Sequence, residues 1–249
     1  MVRMAATPAT TAGVSARRAR SPRVDRPSAK PRPGFRQERL LWRAGFEAVA
    51  GIDEVGRGPL AGPVVAAAVI LPRRTSGDPS RSGWIAALRD SKMLTERQRE
   101  RLAESIWKHA RCSVAAVSTQ VVDQINILQA TRLAMKRAVE NLPTTPDALI
   151  IDGREVVEGG IHQVAVIDGD ALCASVAAAS IVAKVTRDRM MCDLDRRFPG
   201  YGLAINKGYA TAEHRAALAR LGYTNIHRLS FAPVREAVGG LSDRQEVRP

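Results

Sequence analysis

The chain has 249 residues, 45% of them hydrophobic, which is enough for a globular domain with a sizeable core and excludes a chain that is disordered throughout. Its formal net charge of +13 is unevenly distributed, because residues 1–39 contain ten Lys and Arg against two Asp and Glu. A positive excess is compatible with a polyanionic partner, although charge speaks to attraction and not to activity.

The cysteines indicate a reducing compartment. Cys112, Cys173 and Cys192 are odd in number, and no two of them have the C-x-x-C spacing of a zinc or redox pair. Arginines at 17–20 interrupt the stretch where a secretory signal needs an apolar core. Since the longest apolar segment, around 171–183, runs directly into a lysine, we also expect no membrane span. We therefore expect a cytoplasmic protein, and a monomer.

Residues 1–37 are rich in Ala, Thr, Ser, Pro and Arg without apolar periodicity, which predicts a disordered basic tail. The composition also resembles that of a transit peptide, but five prolines between 8 and 33 disfavour the amphipathic helix that such a peptide needs. We interpret the segment as a solvated tail that adds non-specific affinity for phosphates. The folded domain is placed at 38–249.

Two apolar runs open the folded part. Residues 47–54 and 64–71 flank a turn rich in Gly and Pro, which predicts a hairpin of two strands at the centre of a sheet. A capping box, Thr95-x-x-Gln98, predicts a helix through about His109. The other expected elements are strands at 112–117, 148–151 and 164–167, the last two buried, helices at 126–142, 172–198 and 212–221, a glycine-rich loop at 200–210 and a short terminal helix. This order predicts an α/β fold.

The rest of the chain is organised around residues 51–63, GIDEVGRGPLAGP, where two adjacent acids end a predicted strand. Asp53 and Glu54 lie there beside glycine amides and Arg57, a combination that suits a divalent metal and a phosphate oxygen. An ordinary surface turn is the alternative, since a short glycine-rich turn is a weak signal. Adjacent strand residues point to opposite faces, so both acids serve one site only if the strand kinks, or if one acid reaches a second ion or acts through its carbonyl.

Two more acids occupy comparable places further along. Asp152 ends a predicted strand and Asp170 precedes a long buried helix. Ligands of α/β sheets collect at strand ends, so we expect these acids to join the first two. Four carboxylates in one pocket repel each other unless cations neutralise them, and a pair of divalent ions would do so while activating water for phosphodiester hydrolysis. A helix-capping role for Asp170 is the alternative.

Seven segments, in order, resemble the ribonuclease HII family over about residues 46–238. They are GIDEVGRGPLAGPVV at 51–65, DSKMLT at 90–95, INILQATRLAMKRAV at 125–139, LIIDG at 149–153, GDALCASVAAASIVAKVTRD at 169–188, NKGYATAEH at 206–214 and HRLSFAPV at 227–234. The resemblance implies a ribonuclease H-like α/β fold with a central mixed sheet flanked by helices, plus a small C-terminal helical portion at about 205–240. It also implies an endonuclease that cuts the RNA strand of RNA/DNA hybrids, and incises 5′ of single ribonucleotides in DNA, with Mn2+ or Mg2+, two ions being expected during catalysis.

The resemblance assigns residues to that activity. The catalytic and metal-binding acids fall on Asp53, Glu54, Asp152 and Asp170, with Asp53 expected to bridge both ions. The Gly-Arg-Gly element that tests for a ribose 2′-OH falls on Gly56, Arg57 and Gly58. Tyr209 corresponds to the tyrosine that stacks against the deoxyribose on the 3′ side of the junction. The expected phosphate contacts are Ser91, Lys92, Lys184, Arg187 and Lys207.

The sequence departs from the family pattern at two positions. Asp168 stands where the family commonly has a lysine, which adds an acid near the site, and Met93 replaces the second lysine of the usual DSKKL run. Neither change removes an expected metal ligand. Two other functions are compatible with the residues alone: a non-catalytic nucleic-acid-binding protein whose acids cap helices, and a different nuclease or strand-transfer enzyme on the same fold.

Overall fold

The computed structural model describes residues 32–73 and 83–237. The predicted tail lies outside the described residues as far as position 31. Its last residues are folded, because Gly34 pairs with Cys173 and Phe35 is buried. The boundary predicted at residue 37 is therefore wrong by a few positions, and the reason is that a single buried phenylalanine produces no periodic pattern.

The helices and strands follow one another along the chain in mixed order. They are α1 (Arg36–Arg43), β1 (Val49–Val55), β2 (Val64–Ile70), 3-10 turns at Gly83–Ala87 and Ser91–Met93, α2 (Glu96–His109), β3 (Arg111–Val117), α3 (Thr119–Glu140), β4 (Ala148–Asp152), β5 (His162–Val166), α4 (Gly169–Leu172), α5 (Ala174–Arg197), α6 (Leu203–Asn206) and α7 (Ala212–Leu221). A last helical segment covers 232–237. None of the helices in the described residues is long and apolar enough to cross a bilayer.

The five strands form one mixed sheet in the order β3-β2-β1-β4-β5. β1 and β2 are the predicted antiparallel hairpin, whereas β4 and β5 run parallel to β1. This confirms the mixed central sheet and places β1 in its middle. The prediction of a second buried strand before α4 is wrong, because β5 is the edge strand and only part of its surface is covered.

Both faces of the hairpin are covered by helices, which explains why every residue of β2 is buried. α3 packs on one face together with Ile52, and α5 packs on the other. The contact between β1 and α5 is close at Gly51, where an added Cβ would lie 2.6 Å from the Cβ of Ser175 and nearer still to the helix backbone. Only glycine allows the strand and the helix to approach so closely.

Helix boundaries follow from local caps. Thr95 and Gln98 form the predicted capping box of α2. α3 begins earlier than the predicted start at Asn126, because Ser118 caps it; Asn126 has φ 65° and ψ 165° and marks a kink inside the helix. Its side chain accepts hydrogen bonds from the N–H groups of the next turn.

Two further segments differ from the predicted boundaries. The helix expected at 172–198 is interrupted at Cys173, which is the N-cap of α5. The first turn of α5 is capped from α1, because the carboxylate of Glu38 accepts hydrogen bonds from the N–H and hydroxyl of Ser175 at 2.9 and 2.7 Å. The loop expected at 200–210 contains the single turn α6.

The C-terminal segment returns to the turn that follows β1. Ala61 forms a bridge with His227, the N–H of Gly62 donates to the carbonyl of Ile226, and the N–H of Arg228 donates to the carbonyl of Leu60. A separate small core of residues from this segment, α7 and the end of α5 covers the junction. The end of the chain therefore becomes part of the structure around the β1 turn.

Candidate active site

The four predicted acids come from neighbouring elements of the sheet. Asp53 and Glu54 lie near the end of β1, Asp152 ends β4, and Asp170 lies in the first turn of α4. β1 and β4 are adjacent and parallel, so their ends meet at the same edge. Asp170 does not cap α5; its carboxylate lies 3.3 Å from the ammonium of Lys92.

The two adjacent acids point to opposite faces, as a regular strand requires. Asp53 and Glu54 remain in the β1–β2 ladder opposite Ala67 and Ala66, so the strand does not kink between them. Asp53 faces α5, where the Ser180 hydroxyl acts to lower its pKa, while Glu54 pairs with Arg57 at 3.3 Å. The carboxylate of Asp152 is close enough to act on both, because its charge raises the pKa of each. Asp152 thus joins the two faces into one cluster.

Burial and mutual repulsion define the electrostatics of this cluster. Burial raises the pKa of Asp53 well above its ordinary value of 3.8, and the charges of Glu54 and Asp152 raise it further. Burial also raises the pKa of Glu54, against the opposing effect of Arg57. For Asp152, burial raises the pKa first and the neighbouring Asp170 charge adds to it. The site holds more negative charge than its own cations neutralise.

The donor set suits a hard divalent cation. It consists of carboxylate oxygens, the ligands that Mg2+ and Mn2+ prefer, in a place where added positive charge would relieve repulsion. Within the described residues no group of three or more His, Cys, Asp or Glu side chains is already arranged to hold a metal ion. Three of the acids already accept hydrogen bonds: one oxygen of Asp53 from the N–H of Glu54, one of Asp152 from the N–H of Gly169 and one of Asp170 from Lys92.

The Gly-Arg-Gly turn is held from behind by an arginine that the sequence analysis missed. Arg228 is completely buried and donates to the carbonyl oxygens of Gly56 at 2.6 Å, Arg57 at 2.8 Å and Gly62 at 2.8 Å. The segment HRLSFAPV at 227–234 pointed to this region, but a charged residue in a sequence carries no sign that it is buried. Its partners come from the other end of the chain.

Arg187 has a similar role, and the prediction that it contacts a phosphate is wrong. Its side chain is fully buried in α5 and donates to the carbonyls of Pro63 and Lys207 at 3.0 Å and of Ala61 at 3.2 Å. It also packs against Gly56, where a Cβ would collide with the guanidinium. Arg187 therefore supports the turn and is not accessible to a ligand.

The other predicted substrate contacts differ in accessibility. Tyr209 is 45% exposed and its ring lies beside Gly58, 3.8 Å from the position of an added Cβ. The Lys92 side chain is 81% exposed, whereas Ser91 is buried with its hydroxyl 2.9 Å from that of Ser180. Lys184 and Lys207 already have partners, since their ammonium groups lie 2.8 Å from Asp188 and 3.2 Å from the Cys192 sulfur. Substrate contact by these residues stays a prediction.

The family model of ribonuclease HII matches residues 50–234. The chain belongs to the ribonuclease HII family. A ribonuclease HII of Dehalococcoides mccartyi is 48% identical over 204 residues, which cover 82% of this chain and 94% of that relative. The predicted family and enzyme class are confirmed: this is a metal-dependent endoribonuclease of the ribonuclease H type.

Solved structures agree with the predicted fold. The ribonuclease H2 of Pyrococcus horikoshii aligns with a TM-score of 0.66 at 24% identity, covering 81% of this chain and all of that one, which speaks for the fold alone. The Bst ribonuclease HIII crystallised with Mn2+ aligns with a TM-score of 0.63 at 26% identity, over 79% of this chain and 70% of that one. The ribonuclease H-like α/β fold of this ribonuclease HII chain is thereby confirmed.

Proposed function

We propose that this ribonuclease HII chain hydrolyses the RNA strand of RNA/DNA hybrids and incises DNA on the 5′ side of single embedded ribonucleotides. One observation carries the proposal: the acid cluster and the Gly-Arg-Gly turn are physically joined, because the Arg57 guanidinium pairs with Glu54 at 3.3 Å. A sugar that rests on the turn would place its phosphate next to the acids. A single bound position of the substrate would then serve both recognition of the 2′-OH and cleavage.

Asp53, Glu54, Asp152 and Asp170 would hold the divalent ions, and Mn2+ or Mg2+ fits this set of oxygen donors. The raised pKa of three of the four acids and the Mn2+ complex of the ribonuclease HIII relative both support this assignment. When bound, two such ions supply an activated water and stabilise the charge that develops on the leaving oxygen. Lys92, whose side chain is largely exposed, pairs with Asp170 at 3.3 Å and is a cation of the cluster.

The protein groups around the cluster would orient the nucleic acid. Within the described residues the N–H groups of Arg57 and Gly58 have no acceptor, so they are available to a sugar oxygen. Tyr209 offers a ring face beside Gly58 for stacking on the next sugar. The positive side chains at the rim, such as Lys92, would contact phosphates and position the duplex without reading its sequence.

The deciding experiment is incision of a DNA duplex that contains one ribonucleotide, in Mn2+ and in Mg2+. We expect a single cut 5′ of that ribonucleotide, and no cut in the all-DNA duplex. Asp53→Asn should abolish the metal-dependent turnover and keep the fold, whereas Asp193→Asn, an exposed acid on α5, should behave as wild type. Binding that depends on salt without any cleavage would support the non-catalytic alternative, and cleavage of the all-DNA duplex would support a different nuclease.

The cellular setting is part of the proposal. Incision at single ribonucleotides would start their removal from DNA, and we place this activity in the cytoplasm and in a monomer. The basic tail is proposed to add non-specific affinity for the duplex, so removing residues 1–31 should flatten the dependence of binding on salt concentration. An unchanged salt slope would remove the tail from the binding surface.

A further inference from the structure

A buried arginine from the end of the chain closes the Gly-Arg-Gly turn. Arg228 has no exposed surface, and its guanidinium donates to the carbonyls of three residues: Gly56, Arg57 and Gly62. Two of these carbonyls belong to the turn itself, and the third belongs to the return into β2. The guanidinium therefore fixes both ends of the loop between β1 and β2 at once.

The Arg228 side chain is suited to holding the turn, and the free-energy cost of burying its charge indicates a structural role. Burial lowers the pKa of Arg228 to about 9, so the guanidinium keeps its charge at neutral pH. Among the described residues no carboxylate hydrogen-bonds it; the charge is met by carbonyl dipoles, by the nearby charge of Asp123 and by the ring of Phe231, 5.1 Å from the guanidinium carbon. A fork of several N–H groups reaches three carbonyls at fixed angles, which a lysine ammonium on a flexible stem does not do.

A second contact holds the arginine in place. Asp123 on α3 accepts hydrogen bonds from the N–H groups of Leu229 and Ser230, both at 2.9 Å, and from the Ser230 hydroxyl at 2.6 Å. The backbone of Arg228 is itself paired with Leu60. The side chain thus starts from a segment that is fastened on both sides of it, so its position defines the position of the turn.

We infer that Arg228 is a positioning residue for sugar recognition: by holding the carbonyls of Gly56 and Arg57 inward, it keeps the N–H groups of the turn in one arrangement for a ribose. This inference rests on the proposed function, since it assigns a role in the same 2′-OH test. The four acids are carried by β1, β4 and α4 and none of them touches Arg228. Loss of the arginine should therefore impair discrimination between ribose and deoxyribose more than it impairs the acid cluster.

The test compares binding of two duplexes, one all-DNA and one with a single ribonucleotide, by wild type and by Arg228→Gln, without divalent ions so that no cleavage occurs. One or two hydrogen bonds to the sugar correspond to a preference of about tenfold for the ribonucleotide duplex. We expect wild type to show this preference and Arg228→Gln to bind both duplexes alike. In cleavage assays the same variant should have a raised KM for the ribonucleotide duplex with a smaller change in kcat.

Two controls separate positioning from general destabilisation. Met135→Ala empties a buried site on α3 that does not touch the turn, so it should lower the melting temperature and keep the tenfold preference. Asp123→Asn keeps the Arg228 side chain but weakens the fastening of the 229–230 segment and removes a carboxylate charge that acts on the guanidinium, so it should give an intermediate preference. If Arg228→Gln does not fold, Asp123→Asn decides the question by the same measurement.

The outcomes are distinct for the two ideas. A wild-type protein without any preference for the ribonucleotide would sink the proposed function and leave no discrimination to explain. If wild type shows the preference and Arg228→Gln keeps it in full, the role of Arg228 is overturned while the proposed function stays intact. Where Arg228→Gln is unfolded, the same conclusion follows if Asp123→Asn keeps the full preference. Loss of preference in Met135→Ala as well would also overturn it, because any destabilisation would then suffice.

Discussion

Replacing Gly51 by alanine should push helix α5 away from strand β1. The added Cβ would lie 2.6 Å from the Cβ of Ser175, and closer to its carbonyl carbon and to the Val176 nitrogen, where heavy atoms normally approach to about 3.5–4.0 Å. These neighbours are mostly helix backbone and cannot rotate away. α5 must therefore retreat from β1 by roughly 1 Å.

The expected losses follow from that displacement. Overpacking of this kind costs about 3 kcal/mol, at the upper end of the usual range because backbone must move. For a domain of this size that corresponds to a fall in melting temperature of roughly 6–12 °C. Asp53 lies two residues after Gly51 on the same face, against Ser180 of α5, so the site is distorted as well. A 1 Å misplacement can lower kcat/KM by about 100-fold.

Thermal unfolding by circular dichroism and cleavage of the single-ribonucleotide duplex measure the two effects. Gly34→Ala is the matched control, since a Cβ at Gly34 has nothing within 4 Å among its surroundings. It should change neither quantity. A Gly51→Ala protein with wild-type melting temperature and wild-type kcat/KM would refute the claim that this close approach positions the site.

Three further predictions concern stability. Burial and neighbouring acids raise the pKa of Asp53 above its unfolded value near 3.8, so its ionisation destabilises the metal-free fold as pH rises. Asp53→Asn should therefore have a higher melting temperature than wild type at pH 7 without metal. The difference in melting temperature should shrink towards pH 4. Burial, together with the nearby His214, lowers the pKa of His227 from 6.5 to about 4. The neutral ring therefore stabilises the fold above pH 6.5, and this contribution is lost as pH falls towards 4. Urea unfolding at pH 7 and pH 5 should show this loss of stability in wild type and a smaller loss in His227→Gln. Thr95→Ala removes the cap of α2 and should cost about 1 kcal/mol in urea unfolding, with Thr95→Ser restoring it.

Local signals allowed much of the fold to be predicted. The Thr95 capping box, the apolar runs of the hairpin and the α7 boundaries depend on residues that are neighbours in the chain, and the structure has them as predicted. Where a second local signal competed, the prediction failed. The apolar spacing after Asn126 concealed an earlier turn of α3 capped by Ser118, because a kink resets the periodicity without interrupting the helix.

That the acids of β1 and β4 lie close together could be predicted, because adjacent parallel strands bring their ends to one edge of the sheet. The supports of the turn could not. Arg187 and Arg228 are charged residues, which normally indicate a solvated surface, and their burial depends on carbonyls brought from residues 56–63 by the tertiary fold. No pattern around position 187 or 228 contains that information, which is why one arginine was given the wrong role and the other none.

The long separation in sequence between Arg228 and the turn that it holds determines the order in which the parts of the site are synthesised. Arg228 follows Gly56 by 172 positions, whereas all four acids precede residue 171. A growing chain therefore carries every acid of the cluster before it carries the residue that fixes the turn. A chain shortened before residue 226 would keep the acids and lose the clamp. If Arg228 positions the turn as inferred above, the residue on which selectivity for the sugar depends is made after every acid of the cluster, and trimming the C-terminal end before it removes that residue while the acids remain in the chain.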